Sequence, residues 1–347
     1  MAHCKTVHRV SAQRRMTRRW TKKAAAVVAA MSAAAAIFGA MRPASAAPSD
    51  YPTRPITLVV PYDAGGGNDV IARLVAAKMS ASLGQPIMVE NRGGAGSLIG
   101  TRYVAKSKPD GYTLLIATSA LAINPALYAD AGYDPRKDFA PVGLIATSAN
   151  VVIVRPSLPA DSIAELIGLA KKEPGKLDFA STGTGTSTHL AAELFAAMAD
   201  VKMTPIPYKG VAPAVTDLLG GHVDLMFCPT ASVVGLVKDG KLRALAVTGA
   251  KRSPLFPQLP TLAEAGLPGY AAELHYGLVA PAGTPEPVIA TLNAALNGAL
   301  ANTEVQSRLA VDGAQILPGT PAAYAADIAA EQAKWSAIIK RSGVKAR

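Results

Sequence analysis

Ile56-Thr57-Leu58-Val59-Val60-Pro61-Tyr62-Asp63-Ala64-Gly65-Gly66-Gly67-Asn68-Asp69 is the stretch whose reading decides the fold. Its first five residues are apolar or β-branched, the signature of a short buried strand, and Pro61 ends it. Three consecutive glycines follow, and Asn68-Asp69 open a helix predicted over Val70 to Leu83, with Gly84 as its stop. Outward from there come a strand at Pro86 to Glu90, a turn at Asn91 to Gly96, and a helix from Ser97 through Ala105. The turn Asp110-Gly111 leads to a third strand at Tyr112 to Ala117. Strand, helix, strand, helix, strand predicts a parallel sheet covered by helices, an α/β class.

The alternation restarts in mid-chain. Strands are predicted at Val142 to Ala146 and Val151 to Val154, and Ser162 caps a helix from Ile163 to Lys172. The strand Leu177 to Ala180 runs into Ser181-Thr182-Gly183-Thr184-Gly185-Thr186-Ser187-Thr188, and a helix follows from His189 to Met198. Thr204 to Tyr208 leads into Lys209-Gly210 and a helix around Ala212 to Leu219. Val223 to Phe227, Leu242 to Thr248 and His275 to Ala280 read as strands. Helices close the chain at Pro287 to Asn302, Glu304 to Asp312 and Ala322 to Ser342. Two α/β halves with a helical return emerge, with the chain crossing between them near residues 150 and 270.

Composition bounds what such a chain does. Of 347 residues, 50% are hydrophobic and 17% charged, which suits packed cores and excludes a disordered chain. The net charge of +11 suggests a nucleic-acid partner until it is located. Residues 1–46 hold nine of the 35 Lys+Arg and none of the 24 Asp+Glu, which leaves 26 basic against 24 acidic residues beyond them. Those first residues read as an export signal: a basic stretch ending at Lys22-Lys23, an alanine-rich run from Ala24 to Met41, and Pro43-Ala44-Ser45-Ala46 before a cut at Ala47. A membrane anchor is the competing reading, and the weak hydropathy of alanine disfavours it. Arg14-Arg15 and Arg18-Arg19 also allow twin-arginine export. Cutting removes Cys4 and leaves Cys228 alone, so no internal disulfide forms.

Two loops stand out. Pro61 to Asp69 and Ser181 to Thr188 each follow a strand and precede a helix. Each puts flexible backbone where the first helical N–H groups lack partners and the helix dipole favours an anion. Facing each other across a cleft, they would hold a small acid. Taken singly, serine or threonine before a helix is ordinarily a cap, and glycine after a strand is ordinarily a turn. Other chemistries fit less well. Gly65-x-Gly67 with Glu90 downstream has Val70 where a dinucleotide fingerprint needs its third glycine. Gly183-Thr184-Gly185 lacks a phosphate-binding lysine, and no Gly-x-Ser-x-Gly elbow occurs. His189, His222 and His275 are the histidines beyond the leader and form no metal motif, and His189 reads as orienting its loop. Cys228 with His189 could pair as nucleophile and base, though a lone cysteine after a strand is more often inert packing.

Val60 to Gly66, Gln85 to Arg92, Pro109 to Leu115, Gly183 to Phe195, Pro207 to Gly210, Leu218 to Asp224 and Gly240 to Thr248, in this order, resemble the Bug receptors. These are the extracytoplasmic, TctC-like solute-binding proteins of tripartite tricarboxylate transporters. The resemblance covers nearly all of residues 51–343. It implies a two-lobed type II periplasmic binding protein, each lobe a mostly parallel sheet flanked by helices, with the ligand cleft between them. The lobes are expected at 47–150 and 151–270, with 271–347 returning to the first. It implies a small organic acid held by backbone amides and hydroxyls, periplasmic location, membrane permease subunits as partners, and a monomer. No catalytic residue, metal, cofactor or nucleic acid is implied. Carried over by position, the ligand-binding residues are Tyr62, Ala64, Gly65, Gly66 and Asp69 in the first loop, and Thr184, Gly185, Thr186, Ser187 and His189 in the second. Thr118-Ser119 and the stretch from Cys228 are expected to line the cleft. Cys228-Pro229 and His275-Tyr276 depart from the usual pattern where the far end of a ligand should be read, which leaves a longer or more apolar acid open. A sensor delivering its ligand to a signalling partner, an exported enzyme using Cys228, and a structural envelope protein are the alternatives.

Overall fold

The computed structural model describes residues 51–311 and 313–345. The leader at 1–46, its cleavage site and Cys4 lie outside the described residues. No helix among the described residues is long and apolar enough to cross a membrane.

The first half runs β1 (Ile56–Val60), α1 (Gly67–Leu83), β2 (Ile87–Asn91), α2 (Leu98–Ala105), β3 (Thr113–Thr118) and α3 (Ala120–Leu127). β1 pairs in parallel with β2 and β3, as strand-helix-strand units require. α3 has no counterpart in the sequence reading, because Pro125 inside it breaks the helical pattern. β4 (Phe139–Val154) follows as one 16-residue strand where two were expected. The polar interval Thr147 to Asn150 interrupts its apolar pattern, yet the backbone stays paired throughout.

The second half repeats the scheme with α4 (Ile163–Lys172), β5 (Asp178–Ser181), α5 (Ser187–Ala199), β6 (Thr204–Pro207), α6 (Val211–Gly220), β7 (Leu225–Pro229), α7 (Thr230–Lys238) and β8 (Arg243–Val247). β5 pairs in parallel with β6 and β7. Pro205 and Pro207 fit β6 because it lies at the sheet edge. Ser162 caps α4 as expected, its hydroxyl accepting from Glu165 N–H at 3.2 Å. β9 (Glu273–Pro281), α8 (Glu286–Leu300), α9 (Thr303–Val311), β10 (Ala314–Ile316) and α10 (Pro321–Ser342) complete the chain.

The strand order is β2-β1-β3-β9-β4-β7-β5-β6, with β8 and β10 also on β4. β9 is antiparallel to both β3 and β4, so β3 and β4 run the same way. β4 then passes into the second sheet, where β7 and β8 pair with it antiparallel. The parallel strands of the two sheets therefore run toward the same crossing from opposite sides. Register locates it: Thr118 ends β3 opposite Tyr276, which faces Ala146, and Pro229 ends β7 opposite Asn150.

Both sheets are covered on both faces. Ile56, Leu58 and Val60 pack toward α1 and α8, while Val59, Leu115 and Ala117 pack toward α2, α3 and α10. In the second sheet Val152, Val154, Phe179 and Phe227 meet α4 and α5. Val151, Ile153, Ala180, Met226 and Cys228 meet α6 and α7. α10 serves both cores: Tyr324 and Ile328 belong to the first, Trp335 and Ile339 to the second. The helix α10, expected with the first lobe, thus also packs on the second core.

Thr248 ties the crossing together. Its hydroxyl accepts from Asn150 N–H at 2.8 Å and donates to Ala272 C=O at 2.7 Å. Its own N–H and C=O bond Asn150 C=O and Ala272 N–H, each at 2.9 Å. Beside it, the His275 ring fixes β9 to α10, with Nδ1 at 2.9 Å from Asp327 and Nε2 at 3.9 Å from Glu331. Burial alone would lower the His275 pKa, but the Asp327 hydrogen bond and the charges of Glu331 and Asp327 outweigh it, and the pKa rises. Thr248→Val keeps the shape of the side chain and strands the Asn150 N–H and Ala272 C=O. It is expected to cost about 1–3 kcal/mol, read as a lower urea midpoint; an unchanged midpoint would remove this role from the hydroxyl.

Candidate functional site

The ends of β1, β3, β5 and β7 face the crossing, and each gives way to a helix. In open α/β sheets, ligands bind outside the carboxyl ends of the strands, where such loops gather. The loop after β1 is held by Asp69, the third residue of α1. Its Oδ2 accepts from Gly65 N–H and Arg73 Nε, both at 2.9 Å, and its Oδ1 accepts from Asn91 Nδ2 at 3.0 Å. Asn91 also donates to Tyr62 C=O. Gly65 takes φ +85°, a left-handed conformation suited to glycine. Asp69 N–H and Val70 N–H turn back to Gly66 C=O. The N–H groups of Gly66, Gly67 and Asn68 meet no acceptor among the described residues.

The loop after β5 has the same construction. His189, the third residue of α5, accepts from Gly185 N–H at 3.1 Å through Nδ1. Gly185 has φ +78°, which disfavours a side chain, and a Cβ there would force Leu127 of α3 to shift. Thr188 Oγ1 accepts from Thr182 N–H at 2.8 Å, and Thr186 Oγ1 donates to Gly183 C=O at 2.7 Å. The N–H groups of Thr184, in the loop, and of Ser187 and Thr188, at the helix start, are without acceptors among the described residues.

The predicted site residues therefore divide. Ala64, Gly65, Gly66 and Thr184 are exposed, while Gly185, Thr186 and Ser187 are half-buried. Asp69 and His189 are buried and committed to their own loops. Tyr62 is half-buried, with its hydroxyl 2.7 Å from Thr118 Oγ1 at the end of β3. Burial pushes its phenol pKa up, partly offset by the hydrogen bonds to Thr118 and Ser97. Ser119 is buried, its hydroxyl accepting from His275 N–H at 2.8 Å, so it joins α3 to β9.

Cys228 is a correction. It lies in β7 on the face packed against α6 and α7, fully enclosed, and cannot line a cleft. Burial raises its thiol pKa to about 12, which leaves no thiolate for nucleophilic chemistry near neutrality. The expectation that His275 reads the far end of a ligand also changes, since its ring is spent on Asp327. The sequence reading did not single out Arg73, Leu127, Thr248 or Asn150. Asn150 is buried at the crossing, and its Oδ1 has no hydrogen-bond partner among the described residues. The four-residue spacings Gly65 to Asp69 and Gly185 to His189 were the legible signal for the braces.

A two-lobed α/β molecule with paired helix starts at facing strand ends is, in class, a periplasmic binding protein of type II. Residues 71–344 match the family described as tripartite tricarboxylate transporter family receptor, and the chain belongs to that family. It is similar to the periplasmic binding protein BugD, with 39% identity and a TM-score of 0.70, over 86% of this chain and 100% of that one. An R. palustris protein solved with adipate is 40% identical with a TM-score of 0.71, over 85% and 99% of the two chains. A Rhodopseudomonas palustris protein with bound malate is 34% identical with a TM-score of 0.68, over 83% and 100%.

The Arg73 hydrogen bond, with the Gly65 N–H, holds the Asp69 carboxyl at about 2, below its ordinary 3.8. A lowered folded-state pKa stabilises the fold above the ordinary value, and that stabilisation is lost as pH falls through the folded one. The melting-point gap between wild type and Asp69→Asn is thus expected to be full at pH 7 and to close between about pH 4 and pH 2. A gap that stays constant over that range would separate Asp69 from the loop's stability.

Proposed function

We propose that the chain is a periplasmic receptor that captures a small dicarboxylate between its two lobes and delivers it to the membrane subunits of a tripartite transporter. Gly66, Gly67 and Asn68 N–H on one side, and Thr184, Ser187 and Thr188 N–H on the other, hold the acid, with Thr186, Ser187 and Tyr62 hydroxyls beside them. The observation that carries this reading is the pair of helix starts with unpartnered N–H groups at facing strand ends. Adipate and malate in two relatives support the ligand class. The lobes close about Ala149–Asn150 and Thr248–Glu273, so binding shifts the population toward the closed form. A cleaved leader exports the chain, and one copy acts alone.

A micromolar affinity corresponds to about −8 kcal/mol. Charge-assisted bonds at about 1.5–3 kcal/mol each reach that figure only if several form together, because ordering costs must be offset. Two preformed loops lower those costs.

Thermal unfolding with adipate, malate, aspartate, citrate and benzoate tests the reading. A matching acid at about 100 times its Kd stabilises the native state by about 2.7 kcal/mol, a rise of several degrees. Failure of every dicarboxylate to raise the midpoint would overturn the assignment, as would a bound acid seated away from both loops.

A further inference from the structure

The two loops are built alike but charged differently. Each is closed by a buried acceptor at the third helical position, taking the N–H of a left-handed glycine four residues earlier. In the first loop that acceptor is the Asp69 carboxylate, whose charge Arg73 offsets at 2.9 Å. In the second it is the His189 ring, which pairs with no cation among the described residues. A nitrogen that accepts from an amide carries no proton, so the ring is neutral with its hydrogen on Nε2. That Nε2 is buried, 3.4 Å from Glu193 Oε1 but off the line of a hydrogen bond. The Phe179 ring centroid lies 5.8 Å from that of His189.

We propose that His189 is the positioning residue of the second loop: as the neutral Nε2–H tautomer it fixes Gly185 without adding charge, so the adjoining N–H groups of Thr184, Ser187 and Thr188 are free for a ligand carboxylate. The inference rests on the receptor reading above and adds where the acid's charge is received. A carboxylate brace at this position would put like charge next to the ligand's own. A brace without an acceptor would release Gly185 from the geometry that Leu127 and its positive φ already make tight. The first loop tolerates a charged brace because Arg73 accompanies it. The second loop, with a neutral brace and four threonines among its eight residues, sets no brace charge against a carboxylate placed there.

Three variants separate acceptor from charge. Asn keeps an acceptor atom where Nδ1 stands and is neutral, Asp keeps the acceptor and adds charge, and Leu removes the acceptor. Adipate binding, measured by calorimetry at pH 7.5, is expected to fall ten-fold or more in His189→Leu. His189→Asn is expected to recover most of that loss. His189→Asp is expected to bind at least ten-fold more weakly than His189→Asn. Without ligand, nitrogen-15 ring spectra are expected to show His189 protonated at Nε2 alone. Gly185 amide exchange is expected to stay slow in the Asn and Asp variants and to speed up ten-fold or more in Leu. An Nδ1–H tautomer, or Gly185 exchange indifferent to the acceptor, would overturn the brace. Equal adipate affinity in the Asn and Asp variants would overturn the charge argument. Should wild type ignore adipate while the ring and exchange results stand, the dicarboxylate reading fails and the brace survives. If His189→Leu does not fold, the tautomer and the Asn–Asp comparison still decide.

Discussion

Everything in this molecule depends on carrying one strand through two sheets without leaving its backbone unpaired. Buried N–H and C=O groups must find partners, and β4 changes neighbours along its length. β9 serves its first part, and β7 and β8 its last. At the join, the Thr248 side chain supplies the donor and acceptor that strand pairing does not. That solution sets the direction of every other strand. Because β4 runs with β3 but against β7, both parallel cores must end at the same crossing. The four helices that follow β1, β3, β5 and β7 then start around one space. The facing loops are thus a consequence of topology.

Around that space, what the two loops leave without acceptors among the described residues are peptide N–H groups. A helix start leaves its first N–H groups without intrahelical acceptors, and a short buried acceptor at the third position takes up one amide and leaves the others without acceptors among the described residues. Glycine is needed where the chain doubles back with positive φ, at Gly65 and Gly185. At Gly185 a side chain would also force Leu127 to shift. Arg73 does not approach as a ligand-binding cation, because Asp69 and Asn91 engage it. In the proposed receptor, recognition by peptide groups would favour small anions of defined shape over charge in general; two similar solved proteins hold adipate and malate.

The alternation of strand and helix was readable because each element carries its own period: Ile56 to Val60 against Gly67 to Leu83 is unambiguous. What the sequence hid lay where two constraints overlap. Pro125 masked α3, a helix short enough to tolerate it. The polar residues of β4 looked like a gap and were the crossing itself. The family resemblance put Cys228 at the cleft, but the second sheet is covered on both faces. In such a sheet Phe227 and Cys228 are both interior, and an unbroken apolar run does not say which side faces what. The braces were half legible. Their spacing from the glycines could be counted, while the atoms that meet could not, since Asp69 and His189 share a role without sharing a chemistry. α10 resists assignment from sequence because a 22-residue helix is long enough to serve two cores.

The enclosure of Cys228 gives the protein a molecular stopwatch. Among the described residues it is the one free thiol, sealed between the second sheet and its outer helices. A thiol reagent can reach it only when that layer opens, so the pace of labelling counts opening events in one half of the molecule and ignores fluctuations elsewhere. An occupant that steadies that half would slow the clock without touching the sulfur, so its effect there could be timed from a single atom.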